Sequence, residues 1–392
     1  MAYDFETIVD RTGTGAAKWD AMRTANPEVP AGIAPFSVAD VDLKLAPEIT
    51  EGLREHLRDV VLGYTVATDA YWDAVTGWFQ RRHGWTVERE HIRLAPGVVP
   101  AFATAIRAAT APGDGVIVQT PAYYPFFGAI ENNDRVVVRN PLVLRDGRWR
   151  IDLDDLAEKA ADPRTTALLF CSPHNPTGRV WEREELEQIW RIARDNDLTV
   201  ISDEIHFDLL MPGHEHTVFA ALNADAAART IVCTAPSKTF NLAGMSTSNI
   251  VIADPALRER FAADQARTGF STLNALGFEA CRLAYTKAEP WLAGLIELVH
   301  GNHELVRAFL AERMPEVVVH DLEGTYLQWM DFRALGLTAA ELQRIHEQEA
   351  LVFFDEGAMF GPEGEGFERM NLAAPRHAVE AALERLARAH GR

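Results

Sequence analysis

Between residues 97 and 253 the chain repeats one alternation, a short and almost wholly apolar run followed by a stretch with helical periodicity. The runs are GVIVQT (115–120), RVVVRN (135–140), TALLFCS (166–172), TVISDE (199–204), TIVCTA (230–235) and NIVIAD (249–254). Helical stretches such as Val99–Thr110, Tyr124–Asn132 and Glu182–Asn196 lie between several of them. A strand with one wet face alternates polar and apolar residues, whereas a strand that is apolar throughout is covered on both faces. Such strands interleaved with helices specify an α/β protein with a mainly parallel central sheet between helix layers.

The rest of the chain reads differently. After Pro255 comes a long helical pattern, Glu289–Arg313, then shorter strand-like runs, GTYLQWMDF (324–332) and LVFFD (351–355), and a C-terminal helix from about His377. These form a separate, smaller α+β layer. The first 50 residues carry too little periodicity for a domain of their own and are expected to join it. The expected division is a large domain over 51–285 and a small one built from 1–50 and 286–392, which suits a chain of 392 residues.

Composition removes several classes of function. A formal net charge of −19 lacks the basic footprint that phosphate contacts require, and it disfavours an anionic membrane surface. No apolar run reaches the roughly 20 residues of a membrane span. The opening MAYDFETIVDRTG has no apolar core of a signal peptide. Cys171, Cys233 and Cys281 are odd in number and far apart, and read as buried reduced thiols rather than a disulfide or metal set. The histidines show no ligand spacing, so no metal is expected. These features describe a cytoplasmic protein acting on a small molecule.

In sheets of this kind ligands bind beyond the carboxyl ends of the strands. The groups found there are Asn175 after TALLFC, Asp203 and His206 after TVIS, Ser237 and Lys238 after IVCTA, and Tyr123 after GVIVQT; IRL (92–94) leads into a glycine turn that opens a helix. Asn175 to Asp203 is 203 − 175 = 28 residues and Asp203 to Lys238 is 238 − 203 = 35. Both spacings fit successive strand–helix units, so the side chains converge on one rim. One cofactor uses this whole set, pyridoxal 5′-phosphate. Its aldehyde needs a lysine amine, and its pyridinium nitrogen a carboxylate. Its phenolic oxygen needs an amide donor, its ring an aromatic face, and its phosphate the N–H groups of a helix start. Lys238, Asp203, Asn175, Tyr123 and the turn at Gly97, Val98 and Val99 meet these needs in turn.

The ordered motifs SPHNPTG, ISDEIH and APSKTFNLAGM resemble those of the fold-type I pyridoxal-phosphate enzymes, the aminotransferase class I/II superfamily. Within it SKTFNLAG, SDEIH, TPAYYPF and KWD resemble the MalY/PatB group of cystathionine β-lyases, or C–S lyases, over nearly the whole chain. The resemblance implies that Lys238 holds the cofactor as a Schiff base, Asp203 pairs with the pyridinium nitrogen, Asn175 binds the phenolic oxygen and Tyr123 stacks on the ring. Ser237 and the backbone at Val98 and Val99 would hold the phosphate. Tyr64 would reach the phosphate of a neighbouring subunit's cofactor, making the protein a homodimer with shared sites. Arg369 would clamp the substrate α-carboxylate, a task that suits a planar guanidinium. Where aminotransferases usually carry a tyrosine and an arginine, this chain has His206 and Ser246, as the lyase group does. The implied reaction is β-elimination from L-cystathionine or a related L-cysteine S-conjugate, with transamination as the alternative. His206 reads either as a cofactor contact or as a structural histidine. Trp19, Asp20 and Asp40 read either as substrate-entrance residues or as packing and capping residues.

Overall fold

The computed structural model describes residues 3–392. Strands β1 (Ile92–Ala95), β2 (Gly115–Thr120) and β3 (Val136–Pro141) are followed by a small hairpin, β4 (Val143–Arg145) and β5 (Arg148–Arg150). Strands β6 (Thr165–Cys171), β7 (Thr199–Asp203), β8 (Thr230–Thr234) and β9 (Ser248–Ile252) complete the central region. Seven of these make one sheet in the order β1-β9-β8-β7-β6-β2-β3. β3, β2, β6, β7 and β8 run parallel, and β9 alone runs against both its neighbours. The inner apolar runs are covered on both sides, as their composition demands: Leu168, Leu169, Phe170, Val200, Ile201, Ile231 and Val232 are all buried; the run at 135–140 is not, because β3 is the edge strand and its Val136 is exposed.

A second sheet holds β10 (Val318–Val319), β11 (Leu327–Asp331), β12 (Asp355–Glu356) and β13 (Phe367–Asn371) in the order β10-β11-β13-β12, entirely antiparallel. The run LVFFD is not a strand. Residues 345–350 form a wide helical turn, and Leu351 closes it in the left-handed region at φ 54°. The chain then passes as coil, its Phe353 carbonyl accepting from the Phe36 amide at 2.9 Å. Only Asp355 and Glu356 reach β13.

The N-terminal arm carries helix α1 (Ala17–Ala25), whose buried Trp19 and Met22 pack with Val29, Ala34 and Phe353. Helices α2 (Pro47–Asp59) and α3 (Asp69–His83) follow, both packed on the helix Ala275–Lys287. α3 shows local sequence control at both ends: Thr68 caps its start through the Tyr71 amide, and Gly84 ends it at φ 59°. Helix α4 (Val98–Ala109) lies against the central sheet. All three cysteines are buried. No helix among the described residues is long and apolar enough to cross a membrane.

Candidate active site

A cavity of about 190 Å³ opens at the carboxyl edge of the central sheet. The ladder explains why the side chains meet there. Cys171, the last residue of β6, is opposite Asp203, and Asp203 is opposite Cys233 of β8. The turn bearing Asn175, the end of β7 and the helix bearing Lys238 are therefore adjacent. Of the residues expected from the sequence, Val98, Val99, Tyr123, Asn175, Asp203, His206, Ser237 and Lys238 all face this cavity. Tyr64 and Arg369 do not line it.

Lys238 sits in the short helix Pro236–Thr239 directly after β8. Its Nζ donates to the Ala39 carbonyl at 2.6 Å. Burial, then the charge of Arg369, brings this amine down to about 8, against the pull of Asp40, Asp203 and Asp355. Burial pushes the Asp203 carboxyl up to about 7; the Ile205 amide and the Lys238 charge oppose that rise. Asp203 accepts from the Ile205 N–H at 3.2 Å, and no cationic side chain among the described residues bonds it. A carboxylate so buried calls for a cation that the chain does not supply.

Asn175 is oriented by Arg369, whose Nη1 donates to Asn175 Oδ1 at 2.8 Å. The amide N–H₂ is thereby left for an acceptor in the cavity. Arg369 also donates to Asp355 through Nε at 3.2 Å and through Nη2. Three of its five N–H donors are spent in this way, and two remain. The Tyr123 ring meets Phe126 edge-on at 5.8 Å.

Gly97 caps α4 at φ 145°, where a side chain is strained, and exposes the helix start. The first amides of a helix have no acceptor within it. Pro100 has none to offer, so Val98 and Val99 present the free N–H groups. Ser248 Oγ and His206 Nδ1, both buried, have no hydrogen-bond partner among the described residues, and both residues line the cavity. Burial and the charges of Lys238 and Arg369 hold His206 well below the ordinary imidazole range, so it is neutral. A near-neutral amine, an unpaired carboxylate, an amide donor, an aromatic ring and a free helix start match the demands of pyridoxal 5′-phosphate group by group.

Trp19 and Asp20 lie outside the cavity. The Trp19 indole donates to Asp42 at 3.0 Å, and Asp20 is exposed on α1. Asp40 pairs with Lys18 at 3.0 Å and Arg11 at 2.9 Å, and acts on Lys238 only through its charge. Sequence reasoning missed the role of Ala39, whose side chain carries no chemistry, and of Asp355. It also passed over Thr247 and Ser248, which face the cavity beside Ser246. The one available signal was the hydroxyl cluster STS at 246–248.

Comparison with known proteins gives this arrangement its class. The family described as aminotransferase class I and II matches residues 46–386, and the chain belongs to it. More particularly, the chain is 42% identical to cystathionine beta-lyase PatB of Bacillus subtilis over 98% of both chains. Cystalysin from Treponema denticola, whose crystal structure contains a pyridoxal 5′-phosphate cofactor, superposes with a TM-score of 0.98 at 46% identity, covering 100% of this chain and 99% of that one. The PLP-bound C–S lyase from Staphylococcus hominis superposes at 0.91 with 30% identity, covering 99% and 98%.

Proposed function

We propose that this protein is a pyridoxal 5′-phosphate-dependent C–S lyase, which takes L-cystathionine or a related L-cysteine S-conjugate to a thiol, pyruvate and ammonia by β-elimination. The observation that carries the reading is the buried Lys238 amine facing one cavity with Asp203 and Asn175, in a chain 42% identical to a cystathionine beta-lyase. His206 and Ser246, in place of the aminotransferase tyrosine and arginine, favour lyase over transaminase.

The cofactor, when bound, supplies an electron-withdrawing ring conjugated to the substrate Cα. The chain's residues do the rest. Lys238 would hold the aldehyde, and its Nζ, once the substrate amine has taken its place there, would be the base for the Cα proton; burial already draws the free amine down to about 8, towards the range in which an amine works as a base near neutrality. Asp203 keeps the ring nitrogen protonated. Asn175 donates to the phenolic oxygen and Tyr123 covers the ring. The amides of Val98 and Val99, with Ser237, hold the phosphate. Arg369 offers its two remaining N–H groups to the substrate α-carboxylate, with Asp355 fixing its plane.

We read the chain as a large domain, 51–285, containing the seven-stranded sheet, and a small domain from 1–50 and 286–392. The packing of Trp19 and Met22 on Phe353 supports joining the two ends. The working unit is a homodimer in which Tyr64 completes the neighbour's site. Val61, Leu62, Tyr64 and Val66 are all strongly exposed, Tyr64 fully; such a patch suits a second copy. A cytoplasmic location fits three buried free cysteines.

The deciding experiment incubates PLP-loaded protein with L-cystathionine and no keto acid, following pyruvate and free thiol together. Equal amounts of both support the lyase. Turnover only after 2-oxoglutarate or pyruvate is added would make the protein a transaminase.

A further inference from the structure

Two acidic side chains close to Asp203 in the chain are buried, ionisable and unused by the chemistry above. Asp203, Glu204 and Asp208 stand on one stretch, DEIHFD (203–208). Asp203 lines the cavity, and neither Glu204 nor Asp208 does. Both of these are fully enclosed, at 0% exposure, and each is met by an imidazole. His216 Nε2 lies 2.7 Å from Glu204, which also accepts the Ser202 hydroxyl at 2.8 Å and the Phe219 amide at 3.0 Å. His83 Nε2 lies 2.8 Å from Asp208, and the His83 ring stacks on Phe207 at 4.1 Å. The Trp78 indole donates to both Asp208 oxygens, at 3.1 and 3.2 Å. A buried carboxylate is costly unless donors meet it, and here both acids are met.

The two differ in what their remaining donor belongs to. Asp208 accepts the Thr239 hydroxyl at 2.8 Å, and Thr239 follows Lys238 directly in the chain. The helix that carries both, Pro236–Thr239, is a single turn whose start has no side-chain cap. One turn holds its own direction poorly, because fixing its first residues yields few internal bonds. Of its side chains, only those of Lys238 and Thr239 hydrogen-bond to the rest of the described residues. The Lys238 bond is given up when the amine reacts. The direction of the turn then depends on Thr239 and, through Asp208, on Trp78 and His83 of α3.

We infer that Asp208 is a positioning residue for Lys238: anchored to Trp78 and His83, its carboxylate fixes Thr239 and with it the line along which the Lys238 amine meets its reaction partner. The stretch 203–208 then sets two things together, the Asp203 carboxylate at one end and, through Asp208, the amine at the other. The inference rests on the lyase reading for the reaction that the amine serves, but not for the tie itself.

The test uses two matched hydroxyls. Thr239→Val and Ser202→Ala each take from a buried carboxylate one hydroxyl that donates at 2.8 Å, and only the first belongs to the lysine turn. A purely structural role would make the two variants alike, and both are expected to lose similar stability in urea. Stopped-flow absorbance then follows capture of pyridoxal 5′-phosphate by cofactor-free protein, a step that needs Lys238 and no substrate. It is run at about pH 9, above the amine's value of about 8, so that differences report position rather than protonation. Thr239→Val is expected to slow capture by about ten-fold and to lower kcat for pyruvate release to a similar extent at unchanged KM, well short of the roughly hundred-fold that a 1 Å misplacement can cost. Thr239→Ser restores both, and Ser202→Ala alters neither. Capture by Thr239→Val at the unmutated rate, or slowed no more than in Ser202→Ala, overturns the inference and leaves the lyase reading untouched. If Thr239→Val alone slows capture while no version releases pyruvate and thiol, the lyase reading fails and the positioning role stands.

Discussion

Lys238 Nζ is held by the carbonyl oxygen of Ala39 at 2.6 Å, a residue 199 positions earlier in the chain. The same oxygen accepts the Tyr326 hydroxyl at 3.0 Å. On either side, the carbonyls of Val38 and Asp40 both accept from Asn371 Nδ2, at 2.8 and 2.7 Å. The arm that positions the reactive amine is thus fastened to β13 by one side-chain amide. Asn371→Ala leaves the Val38 carbonyl without a donor and the Asp40 carbonyl with Lys18 Nζ alone, and an unmade buried hydrogen bond costs roughly 1–3 kcal/mol. Urea unfolding of the cofactor-free protein is expected to show a loss of that order. Pyruvate release should fall more steeply than for Asn302→Ala, which frees the Leu372 and Ala374 carbonyls away from the cavity.

The Lys238 amine titrates near 8 rather than near 10.5. Only the neutral amine attacks an aldehyde, so capture of pyridoxal 5′-phosphate by cofactor-free protein accelerates as pH rises through 8. It then levels off by about pH 9. Stopped-flow absorbance across pH 6.5–10 measures this. A rate still climbing towards the ordinary lysine range would show that burial does not lower the amine.

The parts of this protein legible in its sequence are those where one residue's chemistry and one strand's composition agree. The central strands were readable because burial on both faces leaves no polar position, and β2 falls on GVIVQT without a shift. Lys238, Asp203 and Asn175 were readable because polar groups at strand ends have few other uses. LVFFD misled for the opposite reason: an apolar run buried by packing as coil has the composition of a strand, and only the left-handed Leu351 distinguishes them. Ala39 was invisible because it acts through its backbone oxygen. Asp355 was invisible because its partner, Arg369, is 14 residues away on a different strand, a pairing that no local pattern encodes.

Asp203 makes stability of the cofactor-free protein fall with pH. Its carboxyl lies near 7 in the folded state against 3.8 when unfolded. Between those values the folded form binds more protons, so the group's favourable contribution is present below about pH 4 and is lost as pH rises through 7. Asp203→Asn cannot ionise and escapes that loss. The cofactor-free variant is expected to gain on the unmutated protein across this window, by a few kcal/mol at most. With cofactor bound, the comparison reverses, because the carboxylate then has its cation. Paired urea titrations at pH 5 and 8, with and without cofactor, test both halves. A constant difference between the two proteins in the cofactor-free state would refute the assignment.

Arg369 separates holding the substrate from holding the fold. It is 2% exposed, pairs with Asp355 on the neighbouring strand β12 and orients Asn175 at 2.8 Å. Arg369→Ala therefore leaves a buried carboxylate uncompensated, which costs about 3–5 kcal/mol. It also frees the Asn175 amide to rotate, so both unfolding and activity suffer and neither is diagnostic alone. Arg369→Lys keeps the charge beside Asp355 but lacks the fork that serves two partners at once. For this variant most of the stability is expected to remain, while KM for the S-conjugate rises at least about ten-fold, the loss of one bidentate contact. The absorbance of the bound cofactor should move as well, because Asn175 loses the donor that aims its amide. Arg369→Lys with unchanged KM and an unchanged spectrum would make the residue a strut for Asp355 and nothing more.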